Sequence, residues 1–493
     1  MDKFNLEAYA DKIKNVGIKT ASALRDLLSR KEDETAGTLD AKGRLERLFD
    51  AGTFSQIGTY VRRRNDQSDI ENDYEFESVI CGWGAVNGRL VYAFSQDISR
   101  SAGSVSEAHA RKICDLYRLA MENGAPVVGV FDSAGAYIPE GVRVMAGYGK
   151  IMKAVSNASG IIPQIAIAAG NVSGAAAVIY GMFDIVIKAD DASLSVNPAF
   201  NTDAKGMADL GVTAIKAADA CAALAAARDV LVYLPSNNCE GTPEDISNDN
   251  VNRAVSTAAY EGGCDAHELI KAFVDNGKLV ELYTDYAPET VGGFASVGGV
   301  SVGIVATNKA VNGGSLTASS VRKAARLVSL FDSFNIPVIT LVDSVGIDSS
   351  ASSEASPFAA EIAKLASAYA SATAPMVTVI AGEAYGSAYT VLGSKALGAD
   401  VVYALDSAKI AAMNASSAVA FLMNDKITAD VSRADLERQW NESVATPVEA
   451  AASGEIDDII ASDELRIRIA SAVNMLMAKS AGSASRKHLT MPL

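Results

Sequence analysis

The chain has 493 residues and a formal net charge of −16; 49% of its residues are hydrophobic and 21% are charged. A chain of this composition can bury large hydrophobic cores, which excludes an intrinsically disordered protein. Nucleic acids and anionic membranes are bound through clustered lysines and arginines, and the sequence has no basic run. We therefore expect neither of them as the main partner.

The first residues, MDKFNLEAYADKIKN, are acidic and amphipathic, whereas a signal peptide is basic and then apolar. No apolar run reaches the roughly 18 residues that a membrane-spanning helix needs. The five cysteines are scattered without a CxxC pair, and the chain has only three histidines. These features predict a reduced, cytoplasmic protein without a metal site.

Along the chain, one pattern occurs twice. The first half contains CGWGAVNGRLVYAF, PVVGVFDSAG and PQIAIAAGNVSG, and the second half contains GGFASVGGVSVGIV, PVITLVDSVG and PMVTVIAGEAYG in the same order. Equivalent positions lie 211 or 212 residues apart: Gly88 and Gly299, Pro126 and Pro337, Asp132 and Asp343, Gly170 and Gly382, Gly174 and Gly386. A period this long has the size of a whole domain, and solenoid repeats are far shorter.

The repeat predicts two homologous domains, residues 1–245 and 246–493, joined within the polar, turn-rich stretch 235–252. Runs such as VVGVF, QIAIAA and VITLV are continuously apolar, which is typical of strands covered on both faces. Helical stretches alternate with these runs. The predicted fold class is therefore α/β with layered helices.

In both halves a buried strand ends in small residues, at GNVSGAAAV and GEAYGSAYTV, and a helix follows. Glycine and alanine let the backbone approach a ligand, and the first N–H groups of a helix lack internal partners. Such a turn can bind an anion or stabilise a developing oxyanion. The alternative is that the small residues only permit close packing of helix on sheet; two equivalent turns favour a binding role.

These turns, together with DSAGA, FDSFNIP and AYGSAY, resemble the crotonase superfamily. The duplicated form resembles a divergent member of the biotin-dependent acyl-CoA carboxyltransferases, a family that includes propionyl-CoA carboxylase β-subunits, the transcarboxylase core subunit and methylmalonyl-CoA decarboxylase α-subunits. The resemblance extends from about Leu45 to the carboxyl terminus. It implies two tandem crotonase-like domains, the first on the acyl-CoA side and the second on the biotin side.

The resemblance implies that a carboxyl group moves between biotin on a separate carrier protein and a short-chain acyl-CoA, in the carboxylation or the decarboxylation direction. Oxyanions then develop on the thioester and on the biotin ureido group. Backbone donors for them are implied at four positions: Gly174 and Ala175 on the acyl-CoA side, Ser387 and Ala388 on the biotin side. Further residues are implied to line the two pockets: Ala134, Gly135, Tyr137, Tyr385, Gly386 and Thr390.

Partners implied in the same way are a biotin carboxyl carrier protein and either a biotin carboxylase or membrane decarboxylase subunits. A homodimer, commonly built into a hexamer, is also implied, because the family's active site forms between the first domain of one subunit and the second domain of another. No metal is required in this chain.

Three features depart from the family pattern. Tyr137 stands where the family usually has an arginine, and tyrosine cannot form the bidentate contacts of a guanidinium. Thr390 replaces a frequent aspartate, and the loop SVGIDSSASSEAS is unusually polar. These changes leave open the acyl group, and they motivate a second hypothesis: a non-catalytic scaffold subunit that assembles with an active paralogue. A hydratase or isomerase is a third hypothesis and would need a carboxylate such as Glu140.

Two further interpretations concern single side chains. Asp132 and Asp343 end equivalent strands, and we predict that each carboxylate caps the helix that follows. His109 lies in a helical stretch and is predicted to be a surface or packing residue.

Overall fold

The computed structural model describes residues 39–63, 76–197, 211–255, 265–480 and 490. Within these residues, the strands form two eight-stranded sheets, one in each half of the chain. The elements of the first half are α1 (Ala41–Leu48), β1 (Ser55–Ile57), β2 (Val79–Val86), β3 (Arg89–Gln96), α2 (Glu107–Asn123), β4 (Val127–Ser133), α3 (Val142–Ala158), β5 (Gln164–Ser173), α4 (Ala175–Gly181), β6 (Ile185–Ala189), β7 (Ser193–Ser195), β8 (Ile215–Ala217) and α5 (Ala220–Tyr233).

The elements of the second half are α6 (Ala266–Phe273), β9 (Val280–Glu281), β10 (Thr290–Val297), β11 (Val300–Thr307), α7 (Ala318–Ser333), β12 (Val338–Ser344), α8 (Ala351–Glu354), α9 (Phe358–Ser371), β13 (Met376–Tyr385), α10 (Gly386–Val391), β14 (Val401–Leu405), β15 (Lys409–Ala411), α11 (Ala415–Leu422), α12 (Arg433–Ser443), α13 (Pro447–Ala452), β16 (Asp458–Ile460) and α14 (Leu465–Leu476).

The two sheets have equivalent topologies. In the first, the order is β1-β2-β3-β4-β5-β6-β8, and β7 pairs with β5; in the second, it is β9-β10-β11-β12-β13-β14-β16, and β15 pairs with β13. β2 and β3 are antiparallel, as are β10 and β11, and the strands that follow in each sheet are parallel. Every residue of β4 and β12 is buried, because helices cover both faces. The predicted α/β fold with two tandem crotonase-like domains is confirmed. The exact division at residues 245 and 246 stays a prediction.

The repeat extends to individual hydrogen bonds. The Asp50 carboxylate accepts the amide N–H of Gly88 at 2.9 Å, at the turn of the β2–β3 hairpin. In the second half, the Asp275 carboxylate accepts the amide N–H of Gly299 at 2.8 Å, at the turn of the β10–β11 hairpin. Both glycines have positive φ, a conformation that favours glycine and explains why this residue occurs at both turns.

The prediction that Asp132 and Asp343 cap the following helices is wrong. Their carboxylates lie instead over Gly170 and Gly382 of the neighbouring strand, where an added Cβ would come within 2.1 Å and 2.4 Å of them. Each carboxylate accepts the amide N–H of the residue after that glycine, at 3.3 Å in the first half and 2.8 Å in the second. The aspartates therefore hold the ends of adjacent strands together, at irregularities in strand pairing that the sequence pattern does not reveal.

One cluster of buried hydrophobic side chains is shared by the two halves. The rings of Tyr233 on α5 and Phe294 on β10 stack with centroids 6.1 Å apart, and the Ser301 hydroxyl donates to the Tyr233 carbonyl at 2.8 Å. The cluster of buried side chains that contains these rings runs from the first sheet into the second. Burial across this junction therefore stabilises both halves at once.

A buried carboxyl group leads to a prediction about stability and pH. Asp184 accepts the Gln164 amide N–H at 2.9 Å, and burial raises the pKa of Asp184 to about 6. The folded protein therefore binds this proton more tightly than the unfolded chain, and the free energy of unfolding falls as pH rises from about 4 to about 6. We expect Asp184→Asn to stabilise the protein at pH 8 by about 1–3 kcal/mol, and less at pH 4, in urea denaturation.

The equivalent residue of the second half is a matched control. Asp400 accepts the Met376 amide N–H at 2.8 Å and also pairs with Lys479 at 2.7 Å. Asp400→Asn removes that ion pair, so we expect it to lower the free energy of unfolding at pH 8 by about 1 kcal/mol or less. A loss of stability at pH 8 in Asp184→Asn would contradict the prediction.

Candidate active site

The first turn joins β5 to α4 at Gly174. Its φ of 63° and ψ of −132° are accessible to glycine and strained for other residues. The Gly174 amide N–H donates to the Ser195 carbonyl at 2.9 Å, so it is already paired. The amide N–H groups of Ala175 and Ala176, the first two residues of α4, have no partner among the described residues. The free donors of this turn therefore begin at Ala175.

The segment after β4 lies against the first turn. Gly135 has a φ of 113°, and its amide N–H donates to the Ser133 hydroxyl at 3.0 Å. The Asn171 side chain donates to the Ser133 carbonyl and accepts from the Ser193 hydroxyl, both at 2.8 Å. Asn171 thus ties together the ends of β4, β5 and β7. Sequence reasoning missed it, because nothing in its pattern distinguishes Asn171 from an ordinary turn residue.

Two of the residues predicted to line the acyl-CoA pocket, Ala134 and Tyr137, belong to the segment after β4. Ala134 is exposed at its tip, and Tyr137 is half-buried. The Arg63 guanidinium stacks on the Tyr137 ring, 3.9 Å from its centroid, and donates to the Ser101 hydroxyl at 2.7 Å. A guanidinium is therefore present next to Tyr137, although it comes from a distant part of the chain. Only tertiary contact reveals it.

The second turn joins β13 to α10 at Gly386, the position equivalent to Gly174. Gly386 has a φ of 55°, and the amide N–H groups of Ser387 and Ala388 have no partner among the described residues. Ser387 and Thr390 are exposed, and Ala388 is buried. The Thr390 hydroxyl donates to the Gly386 carbonyl at 3.4 Å. The second turn therefore has two such amide N–H groups. One belongs to the exposed residue Ser387 and the other to the buried residue Ala388.

Several ionisable side chains lie beside the second turn. Tyr385 is buried, and burial together with the neighbouring Glu383 carboxylate raises the pKa of Tyr385, which keeps its hydroxyl protonated. Glu383 forms an ion pair with Lys309, whose ammonium also lies 3.5 Å from the Asp343 carboxylate. The sequence pattern did not predict this cluster of charged side chains.

His109 and Glu140 are two side chains of the first half that could act as a general base. His109 is buried, next to the Ser78 hydroxyl at 3.1 Å, and burial lowers its pKa to about 3. It is a neutral packing residue and does not lie at the surface. The Glu140 carboxylate accepts the amide N–H of Glu107 at 2.5 Å, at the start of α2. This bond involves Oε2; the other carboxylate oxygen, Oε1, is buried without a hydrogen-bond partner among the described residues.

Among the described residues, no group of three or more histidine, cysteine, aspartate or glutamate side chains could hold a metal ion. No helix in the described part of the chain is long and apolar enough to cross a membrane.

Residues 32–491 match the family of the carboxyl transferase domain. The chain belongs to this family. It is 35% identical to the propionyl-CoA carboxylase beta chain of Roseobacter denitrificans over 480 residues, which cover 93% of this chain and 94% of the relative. It is also 35% identical to the methylmalonyl-CoA decarboxylase subunit alpha of Veillonella parvula, with the same shares covered.

A solved structure agrees with this membership in the carboxyl transferase family. Transcarboxylase 12S, described as a hexamer with hydrolysed methylmalonyl-coenzyme A bound, superposes with a TM-score of 0.90 at 31% identity; 97% of this chain and 98% of that one are covered. The resemblance recognised in the sequence is confirmed, and the chain is an acyl-CoA carboxyltransferase of the biotin-dependent carboxylases.

Proposed function

We propose that this carboxyltransferase moves a carboxyl group between biotin on a separate carrier protein and a short-chain acyl-CoA. Methylmalonyl-CoA or propionyl-CoA is the favoured substrate over malonyl-CoA or acetyl-CoA, because the relatives are named for the former pair. The observation that carries the proposal is the pair of equivalent turns, each with unpaired amide N–H groups where a strand runs into a helix. Preorganised donors of this kind stabilise developing oxyanions.

The roles divide between the two halves. On the acyl-CoA side, residues 1–245, the Ala175 amide donates to the thioester oxygen, and Gly174 provides the turn that aims it. On the biotin side, residues 246–493, the Ser387 and Ala388 amides donate to the ureido oxygen. This role is supported by the absence of a partner for either amide among the described residues. Biotin, when bound, supplies the carboxyl group and the basic site for the substrate proton. No side chain of this chain need act as a base, which agrees with the neutral His109.

Six residues shape the two pockets in this proposal. Those of the first half are Ala134, Gly135 and Tyr137, and those of the second half are Tyr385, Gly386 and Thr390. Tyr385 and Gly386 line the biotin side, and Thr390 stands where the family places a residue that shapes the acyl pocket. Val178 on α4 occupies the position equivalent to Thr390 on α10, and both are exposed.

A homodimer completes the site, and three such dimers form the expected hexamer. An apolar stripe next to the first turn is exposed: Ile138 by 71%, Val142 by 80% and Met145 by 54%. In the second half, Phe421 is exposed by 82% and Leu422 by 58%. Apolar patches of this kind mark protein contacts. Two copies in antiparallel arrangement would cover both patches and bring the first turn of one copy to the second turn of the other.

The remaining partners follow from the chemistry. A biotin carboxyl carrier protein delivers the cofactor, and a biotin carboxylase or membrane decarboxylase subunits exchange carboxyl groups with it. The proposed location is the cytoplasm, where the CoA esters are available.

The proposal is tested by incubating the purified protein with methylmalonyl-CoA and free biotin and following propionyl-CoA by chromatography. We expect decarboxylation that depends on biotin and is slower with malonyl-CoA. Absence of turnover, together with absence of CoA-ester binding in calorimetry, would contradict the catalytic role and leave the scaffold subunit as the better description. A monomer in sedimentation would contradict the shared site.

A further inference from the structure

A cavity of about 370 Å³ is lined by residues of both halves, and neither Gly174 nor Gly386 is among them. One wall comes from the first half, where Phe183 and Val186 lie at the start of β6. The start of β6 is at the amino end of the parallel strands, whereas Gly174 follows the carboxyl end of β5. The opposite wall comes from Tyr283 and Tyr286 before β10 and from helix α7. The cavity is therefore distinct from the proposed catalytic site.

The turn that carries the two tyrosines is held in an unusual conformation. Tyr283 and Ala287 have φ values of 59° and 47°, in the left-handed region that residues other than glycine rarely adopt. The buried Lys323 ammonium donates to the carbonyls of Tyr283 at 2.8 Å and Tyr286 at 2.9 Å. Backbone strain that the surroundings hold in place is concentrated at ligand-binding sites. Lys323 and the strained turn thus make a preformed wall.

The Tyr286 side chain is the most informative group in this wall. It is only 8% exposed, and its hydroxyl has no hydrogen-bond partner among the described residues. The hydroxyl lies near the Arg322 guanidinium, but the two make no hydrogen bond of normal geometry. The hydrogen bond with the Glu361 carboxylate raises the pKa of Arg322, and Tyr286 contributes less. A buried hydroxyl without a partner is unfavourable, so a ligand that accepts a hydrogen bond from it is favoured.

Cationic groups surround this hydroxyl. Arg322 and Arg326 lie one turn apart on α7 and both line the cavity. Arg326 is fixed because it donates to the carbonyls of Phe183 at 3.1 Å and Asp184 at 2.9 Å. Arg322 pairs with Glu361 at 2.9 Å, and Lys364 also pairs with this carboxylate at 3.1 Å. The cavity therefore combines aromatic walls with guanidinium donors at one end.

We propose that this cavity binds a small organic anion, a carboxylate on an aromatic or branched aliphatic body. The carboxylate accepts hydrogen bonds from the Arg322 guanidinium and the Tyr286 hydroxyl, and the apolar body packs against Phe183 and Val186. A ligand here contacts both halves of the chain at once. Its binding energy stabilises their junction, because the ligand is held only when the two halves are together.

The experiment measures binding of three probes by calorimetry and by thermal unfolding: benzoate, benzyl alcohol and inorganic phosphate. We expect benzoate to bind saturably and to raise the unfolding temperature. Benzyl alcohol, which lacks the charge, and phosphate, which lacks the apolar body, should bind more weakly. Tyr286→Phe and Arg322→Gln should each weaken benzoate at least about tenfold, because each removes a donor to a charged group. Arg118→Gln, on an exposed pair with Glu122 on α2, is the matched control and should bind benzoate normally.

Tyr286→Phe also separates binding from folding. It removes only a hydroxyl without a partner, so the unfolding temperature without benzoate should stay the same or rise. The proposal is overturned if benzoate does not saturate, if benzyl alcohol or phosphate binds as tightly, or if neither cavity variant weakens benzoate. Displacement of benzoate by methylmalonyl-CoA would also overturn it, because that result would place benzoate in the catalytic site.

Discussion

Replacing Gly174 with alanine is expected to lower the rate of biotin-dependent decarboxylation on the order of 10²–10³-fold, the usual effect of losing one oxyanion donor. The backbone at Gly174 has a φ of 63° and a ψ of −132°, and a Cβ there strains this conformation by about 1–3 kcal/mol. We expect the turn to relax, so that the Ala175 amide no longer points to the position proposed for the thioester oxygen. The measurement is initial rate with methylmalonyl-CoA and biotin, together with thermal unfolding.

Gly52→Ala is the matched control for this prediction. Gly52 has a φ of 77°, and a Cβ added there would have no heavy atom within 4 Å. It belongs to an exposed turn that is distant from Gly174 in the sequence. The control also places a Cβ at a residue with positive φ, and it should keep the activity of the unaltered protein. Equal losses of activity in the two variants, or full activity in Gly174→Ala, would contradict the role assigned to the first turn.

The largest loss of stability is expected from Arg466→Met. The Arg466 guanidinium is 1% exposed; it pairs with the Asp275 carboxylate at 2.7 Å and donates to the Phe273 carbonyl at 2.5 Å. The variant leaves a buried carboxylate without its countercharge, which costs about 3–5 kcal/mol. The free energy of unfolding, measured by urea denaturation at pH 7, should fall by this amount.

The repeat provides an internal comparison. Arg228 pairs with Asp50 at 2.8 Å in the first half, and Asp50 is the residue equivalent to Asp275. There the two side chains are 27% and 29% exposed, so water already screens the pair. Arg228→Met should therefore lower the free energy of unfolding by only about 1 kcal/mol. Similar losses in the two variants would show that burial does not decide the strength of these pairs.

Much of the fold could be predicted from local patterns. The equal spacing of Asp132 and Asp343 and of Gly174 and Gly386 predicted the duplication, because a repeated fold needs the same backbone conformations at the same positions. Continuous apolar runs predicted the buried parallel strands. The hydrogen-bond partner of a carboxylate cannot be predicted from local patterns of this kind. Asp132 could cap a helix or bond a neighbouring strand, and its sequence context is compatible with both.

The candidate site was predictable to a similar extent. Glycine and alanine at each strand-to-helix junction located both turns. The pairing of the Gly174 amide with Ser195 depends on β7 lying beside β5, and local sequence does not encode that register. For the same reason, Arg63 beside Tyr137 and Lys309 beside Glu383 were missed, since each pair joins residues that are remote in the chain.

By itself, the sequence determined that one α/β unit is used twice, that each copy carries a glycine turn suited to oxyanions, and that the chain resembles the biotin-dependent carboxyltransferases. These properties depend on residue type and spacing, which are local. Only the tertiary structure decided which amides are unpaired, how Asp132 and Asp343 are used, and that Arg322, Arg326 and Tyr286 enclose a cavity between the halves. Such properties depend on the packing of distant segments, and packing is set by the whole fold.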